Sequence, residues 1–185
     1  MSAHGIARKL ASVGAAGLVI AIVGYGLLDS TTPTAIAEHH EEAVSAEVDV
    51  AKRLLHAFNK SDWDTFGALI SDDHVYVEHG TQRTIEGRDA LLEALAGWKT
   101  AMPDVVGTPS AYLQGGSSVA MELVWTGTHT GPLMTPAGEL PASGKEQTTP
   151  GVWILDIEDG KAVASRNYFD MMTLLQQIGA MPAAE

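Results

Sequence analysis

The sequence contains no cysteine. Disulfides, thiolate nucleophiles, cysteine-ligated zinc and a lipid-modified cysteine are therefore excluded. Basic residues are scarce as well: 11 Lys and Arg stand against 23 Asp and Glu, for a formal charge of −12. No Lys/Arg cluster occurs in the globular part, and phosphate binding requires one, so nucleic acid is excluded as a partner. The acidity serves solubility instead. Also missing are His-x-x-x-His, Gly-x-Ser-x-Gly, a phosphate-binding glycine loop and a dinucleotide fingerprint. No cofactor and no metal are expected, which leaves proton transfer by side chains as the available chemistry.

What is present begins with an N-terminal extension. Arg8 and Lys9 precede an apolar run from Leu10 to Leu28, and small and polar residues follow to Ala35-Ile36-Ala37. That order is the n-region, h-region and A-x-A site of an export signal over residues 1–37, cleaved after Ala37. At ~1.5 Å per residue the run could also just span a bilayer, so a retained anchor over residues 10–28 is the alternative, although Gly14, Gly17, Gly24 and Gly26 weaken it. Either way the domain is expected outside the cytoplasm, secreted, periplasmic or membrane-anchored, with membrane contact only through this segment. Residues 38–43, including Glu38-His39-His40-Glu41-Glu42, read as a solvated linker rather than a metal site, because adjacent side chains splay apart.

The remaining length suits one domain over residues 44–182. Val44, Val48, Ala51, Leu55 and Phe58 recur at helical steps and predict a helix from about Ala43 to Asn59. Ser61-Asp62-Trp63-Asp64 reads as a capping box opening a second helix through Ile70. Leu91, Leu92, Leu95 and Trp98 predict a third helix, ended by Pro103. His74–His79, Val105–Leu113, Ser118–His129, Gln147–Ile157 and Lys161–Asp170 read as strands, with Asp159-Gly160 a hairpin turn. Residues 131–150 read as an irregular loop. Helices first and an antiparallel sheet after them make an α+β fold with helices covering one face of a curved sheet. Such a sheet closed partly around the N-terminal helices makes a conical cup that can hold a small molecule.

Alternation along the last strand puts Arg166, Tyr168 and Asp170 on one face. If that face looks inward, Asp170 is a desolvated carboxylate suited to acid/base work; if not, it is the N-cap of the final helix. Trp125, Gly127 and His129 share a face of another strand, where His129 could donate a proton or simply hold structure. His74, Tyr76 and Glu78 either line the cup or face water. Trp63 shares an apolar helix face with Phe66 and reads as core.

Several stretches together resemble the SnoaL-like polyketide cyclase, or ester cyclase, family of the nuclear transport factor 2-like superfamily. They are Phe58-Asn59-Lys60-Ser61-Asp62-Trp63-Asp64, Ile85-Glu86-Gly87-Arg88-Asp89-Ala90, Met102-Pro103-Asp104, Gly127-Thr128-His129-Thr130-Gly131 and Arg166-Asn167-Tyr168-Phe169-Asp170 with Gln177-Ile178-Gly179. The resemblance covers Val44 to Met181. It implies a cone-shaped α+β barrel with an apolar internal pocket, a homodimer packed through the sheet, and ring closure by intramolecular aldol condensation without metal or cofactor. It also implies Asp170 as the acid/base, with His129 in the pocket. Tyr168, Arg166, Trp125, Tyr76 and Trp63 are the expected substrate contacts. The expected function is thus a cofactor-independent cyclase, isomerase or lyase acting on a small apolar carbonyl compound. The alternative is a non-catalytic extracytoplasmic domain that binds a small molecule in the same cup.

Overall fold

The computed structural model describes residues 45–135 and 138–181. The expected export signal or anchor and the linker lie outside them. Among the described residues no helix is long and apolar enough to cross a membrane.

Ser45 starts the first helix, α1 (Ala46–Lys60), by accepting the Val48 N–H at 3.1 Å. Its buried stripe is Val50, Ala51, Leu54, Leu55 and Phe58, the face set by helical spacing. The structure corrects the expected capping box. Ser61 closes α1 in the left-handed conformation, φ 55°, and Asp62 opens α2 (Trp63–Ala68) by accepting the Thr65 N–H at 3.1 Å. The two helices abut with no linker, so the residue that reverses the chain cannot also cap the next helix. The third helix, α3 (Arg88–Ala101), buries Leu91 and Leu95 and stops before Pro103.

Six strands form the main sheet: β1 (Ile70–Glu78), β2 (Arg83–Glu86), β3 (Val106–Gly115), β4 (Ser118–Thr128), β7 (Glu146–Glu158) and β8 (Lys161–Phe169). Their order is β2-β1-β8-β7-β4-β3, antiparallel throughout except for the parallel pair β1 and β8. Register shifts interrupt β1/β8, β3/β4 and β7/β8. Such irregularities bend strands, and here they curve the sheet around the helices. The expected loop contains a small separate hairpin, β5 (Leu133–Thr135) with β6 (Gly138–Leu140). Asp159 and Gly160 both take positive φ, 49° and 76°, as a tight hairpin turn requires. A last helix, α4 (Met171–Gln177), follows β8. The fold is α+β, with one face of a curved, mainly antiparallel sheet buried against helices. Phe66 of α2 stacks on Trp153 of β7 at 6.1 Å between ring centroids, tying the helices to the sheet.

Candidate active site

Sidedness of the strands decides which residues meet. On β1 the buried side includes His74, Tyr76 and Glu78; on β7 it includes Gln147, Thr149 and Trp153. Asn167 and Phe169 of β8 point the same way. The ladder places Glu78 opposite Asn167, and Asn167 opposite Trp153, so these three stand in one row across three strands. They border an inner cavity of about 50 Å³. The rest of its wall is largely aromatic and aliphatic, from Phe58, Trp98, Trp125, Phe169, Met102 and Leu174 among others. Gly80 permits this packing, because a Cβ there would lie 2.5 Å from the Phe169 ring.

Glu78 is 1% exposed, and a buried carboxylate is tolerable only when paired and hydrogen-bonded. One oxygen, Oε2, accepts from Arg83 Nη2 at 2.7 Å and Nε at 3.0 Å, and from the Thr81 hydroxyl. The other, Oε1, accepts from Trp98 Nε1 at 2.9 Å and from the Tyr76 hydroxyl at 3.1 Å. Burial and the neighbouring Glu78 charge push the Tyr76 phenol well above its ordinary pKa, so it stays a neutral donor. Because the Tyr76 hydrogen goes to a carboxylate, Asn167 must offer its amide N–H₂ to the phenol oxygen, at 3.2 Å. Asn167 Oδ1 is then left buried without a partner, as are Trp153 Nε1 and Gln147 Nε2 on the same cavity wall. Gln147 Oε1 accepts from the Thr149 hydroxyl at 2.5 Å.

Three residues expected in the pocket lie elsewhere, Arg166 and Tyr168 on the opposite face of β8 and Asp170 just past its end. Asp170 is exposed and caps α4: Oδ1 accepts the Thr173 N–H at 3.0 Å and Oδ2 the Thr173 hydroxyl at 2.6 Å. Those bonds hold its pKa below the usual carboxylate value, the opposite of what an acid/base near neutrality needs. Arg166 donates to Asp156 at 2.7 and 3.1 Å on that same outer face, and Tyr168 stacks on His79 at 4.0 Å. The cause is parity: Asn167 and Phe169, not Arg166 and Tyr168, continue the buried side of β8.

The other expectations fall in different places. Tyr76 and Trp125 line the cavity. Trp63 packs edge-on against Phe58 and Phe66, one layer behind the Phe58 wall. His129 is 1% exposed on the inward face, its Nδ1 3.1 Å from the Ser143 hydroxyl and its Nε2 unpartnered, but it does not line the cavity. Burial lowers its pKa and keeps it neutral. His74 donates from Nδ1 to the Ala162 carbonyl at 2.9 Å and accepts at Nε2 from Ser165 at 2.8 Å, which fixes it as a structural residue. Among the described residues no three His, Asp or Glu side chains converge as cation ligands.

Trp98, Gln147, Thr149, Trp153 and Asn167 were not expected in the site, and Glu78 was grouped with His74 and Tyr76 only as either lining the cup or facing water. For Glu78 a signal existed, since it shares the Tyr76 face by simple alternation. For Gln147 and Asn167 there was none, because an amide on a strand looks alike on a wet face and in a cavity.

Comparison with known proteins agrees with this architecture. The profile of the SnoaL-like polyketide cyclases matches residues 48–178. Among solved structures, IdmH of Streptomyces antibioticus, a candidate polyketide cyclase, is 26% identical, with 72% of this chain and 98% of that one covered at a TM-score of 0.63. A candidate SnoaL-like polyketide cyclase of Jannaschia sp. CCS1 is 19% identical over 74% and 94% of the two chains, with a TM-score of 0.67. A protein of Catenulispora acidiphila with a ketosteroid isomerase-like fold is 20% identical over 71% and 92%, with a TM-score of 0.61. No curated protein sequence matches this one. With 131 consecutive residues matched by the family profile, the chain belongs to the SnoaL-like polyketide cyclase family.

Proposed function

We propose that this protein is a cofactor-independent acid/base catalyst of the cyclase type, acting on a small, largely apolar carbonyl compound in the inner cavity. The observation that carries the reading is Glu78, a buried carboxylate whose Oε1 meets a neutral phenol at the edge of an otherwise mostly apolar void. Both lone pairs of Oε1 are engaged, by Tyr76 and Trp98. A substrate carbonyl that takes over the Tyr76 hydrogen bond frees one of them. Glu78 then removes the proton on the carbon next to the carbonyl, while Tyr76 stabilises the enolate oxygen. The enolate carbon attacks a second carbonyl of the same molecule, a carbon–carbon bond closes the ring, and Glu78 returns its proton to the new alkoxide. Family membership and the 26% identity to IdmH support the reaction class. Asp170 has no part in it.

The test is proton exchange in D₂O. Wild-type protein is expected to put deuterium beside the carbonyl of small ketones and diketones, with Glu78→Gln and Tyr76→Phe losing at least tenfold. Equal exchange by wild type and Glu78→Gln would overturn the assignment.

A second reading rests on the same carboxylate. Four side chains already satisfy Glu78, as in a structural ion pair, and that favours a binding domain that holds its ligand without turnover. Saturable ligand binding with no exchange in any ketone tested selects it. The proposal also places the domain outside the cytoplasm, on the signal-like order of residues 1–37. Mass spectrometry of the mature protein is expected to find Glu38 first, whereas an intact Leu10–Leu28 segment selects the anchor.

A further inference from the structure

The cavity wall holds a second feature that the Glu78 and Tyr76 chemistry leaves unused. Asn167 and Trp153 are direct partners across β8 and β7, and both side chains line the void. Asn167 presents an unpartnered acceptor, Oδ1, because the N–H it donates to Tyr76 fixes the orientation of its amide; Trp153 presents a donor, Nε1. Both atoms are buried and neither has a partner, so they do not satisfy one another. Groups left in that state are costly, and a ligand that completes both removes the cost. The chemistry is selective. A carbonyl or ether oxygen satisfies Trp153 alone, and an N–H satisfies Asn167 alone. A carboxylate would face the Asn167 oxygen and the Glu78 charge. A hydroxyl does both, donating to Oδ1 and accepting from Nε1.

We propose that Asn167 and Trp153 form a hydroxyl clamp, so that the molecule taken by the cavity carries an alcohol or enol O–H on an apolar body. The inference rests on the reading above that the cavity holds a small organic molecule, and it narrows the substrate class to hydroxy-carbonyl compounds. Size narrows it further. A cavity of about 50 Å³ has room for roughly four waters, about 120 Å³ of liquid, which matches a single six-membered ring better than a fused polycycle.

Cyclohexanol and cyclohexanone differ by two hydrogens, one of them the O–H donor, at nearly constant size, and they serve as the probes. Binding is followed on the full protein labelled with ¹⁵N-tryptophan, whose four indole signals include Trp153, identified by its loss in Trp153→Phe. Cyclohexanol is expected to shift the Trp153 indole signal and to bind about tenfold tighter than cyclohexanone. Asn167→Leu is expected to bring the two to parity by weakening the alcohol alone, and Trp153→Phe to weaken both, since either oxygen accepts from Nε1. Equal affinity of alcohol and ketone for wild-type protein, or an alcohol that binds without moving the Trp153 signal, overturns the clamp and leaves the cavity reading standing. Failure of both probes to bind at millimolar concentration overturns both. Alcohol-selective binding without deuterium exchange keeps the clamp and removes the catalytic reading.

Discussion

The two faces of the sheet carry the same chemical vocabulary and use it differently. Each has an Arg–carboxylate pair and a tyrosine: buried Glu78 and Tyr76 with the partly exposed Arg83 on one side, Asp156, Arg166 and Tyr168 on the other. Inside, the Glu78 side chain is 1% exposed and its phenol neighbour is pushed to high pKa. Outside, the paired side chains are 34% and 29% exposed, and the Arg166 hydrogen bonds simply hold the Asp156 pKa low. Desolvation is the difference. The same groups become candidates for chemistry where water is excluded and surface pairing where it is not.

That contrast can be broken by removing one cation from each face. Arg83→Leu leaves a buried carboxylate without its charge partner and is expected to cost about 3 kcal/mol, the low end for breaking a buried pair because Arg83 itself is partly exposed. Arg166→Leu is expected to cost less than about 1 kcal/mol. Urea unfolding of both variants measures this, and similar losses would mean that the faces do not differ. Turnover separates them too. Gly80→Ala, which presses on the Phe169 ring at the cavity wall, is expected to lower exchange severalfold, whereas Tyr168→Phe on the outer face should leave it unchanged.

Alkaline titration gives a smaller effect with a definite sign. The folded pKa of Tyr76 lies above its unfolded value, so the unfolded chain loses that proton first. The stability Tyr76 contributes is complete below about pH 10 and is lost as pH rises through its folded pKa. Tyr76→Phe should flatten the alkaline part of the stability curve. Asp156 works in the other direction, since its folded pKa is depressed. Its contribution is present above its unfolded pKa and fades as pH falls through the folded one, a loss expected to be the smallest of these effects.

Much of the architecture was legible because it follows from periodicity. The apolar steps of α1 and α3, the Asp159-Gly160 turn and the strands β4, β7 and β8 are local patterns. The parallel pairing of β1 with β8 is not local, and the four residues of β2 are too few to show a pattern. The candidate site was half legible. Alternation grouped Arg166, Tyr168 and Asp170 correctly, yet alternation has no sign, and polar side chains occur on both sides of β8. What assigned the face was packing at a distance, with Phe169 settling against Gly80 and Trp98 while Asp170 turned to cap α4. The family resemblance pointed to Asp170 by position in the sequence, and position does not report burial.

The most direct test compares two carboxylates, the buried Glu78 and the exposed helix cap Asp170. Deuterium exchange into a small ketone is measured for Glu78→Gln and for Asp170→Asn, a substitution that keeps a good helix cap. The account predicts that Asp170→Asn exchanges at the wild-type rate and that Glu78→Gln loses at least tenfold. Exchange that survives in Glu78→Gln and disappears in Asp170→Asn would contradict it.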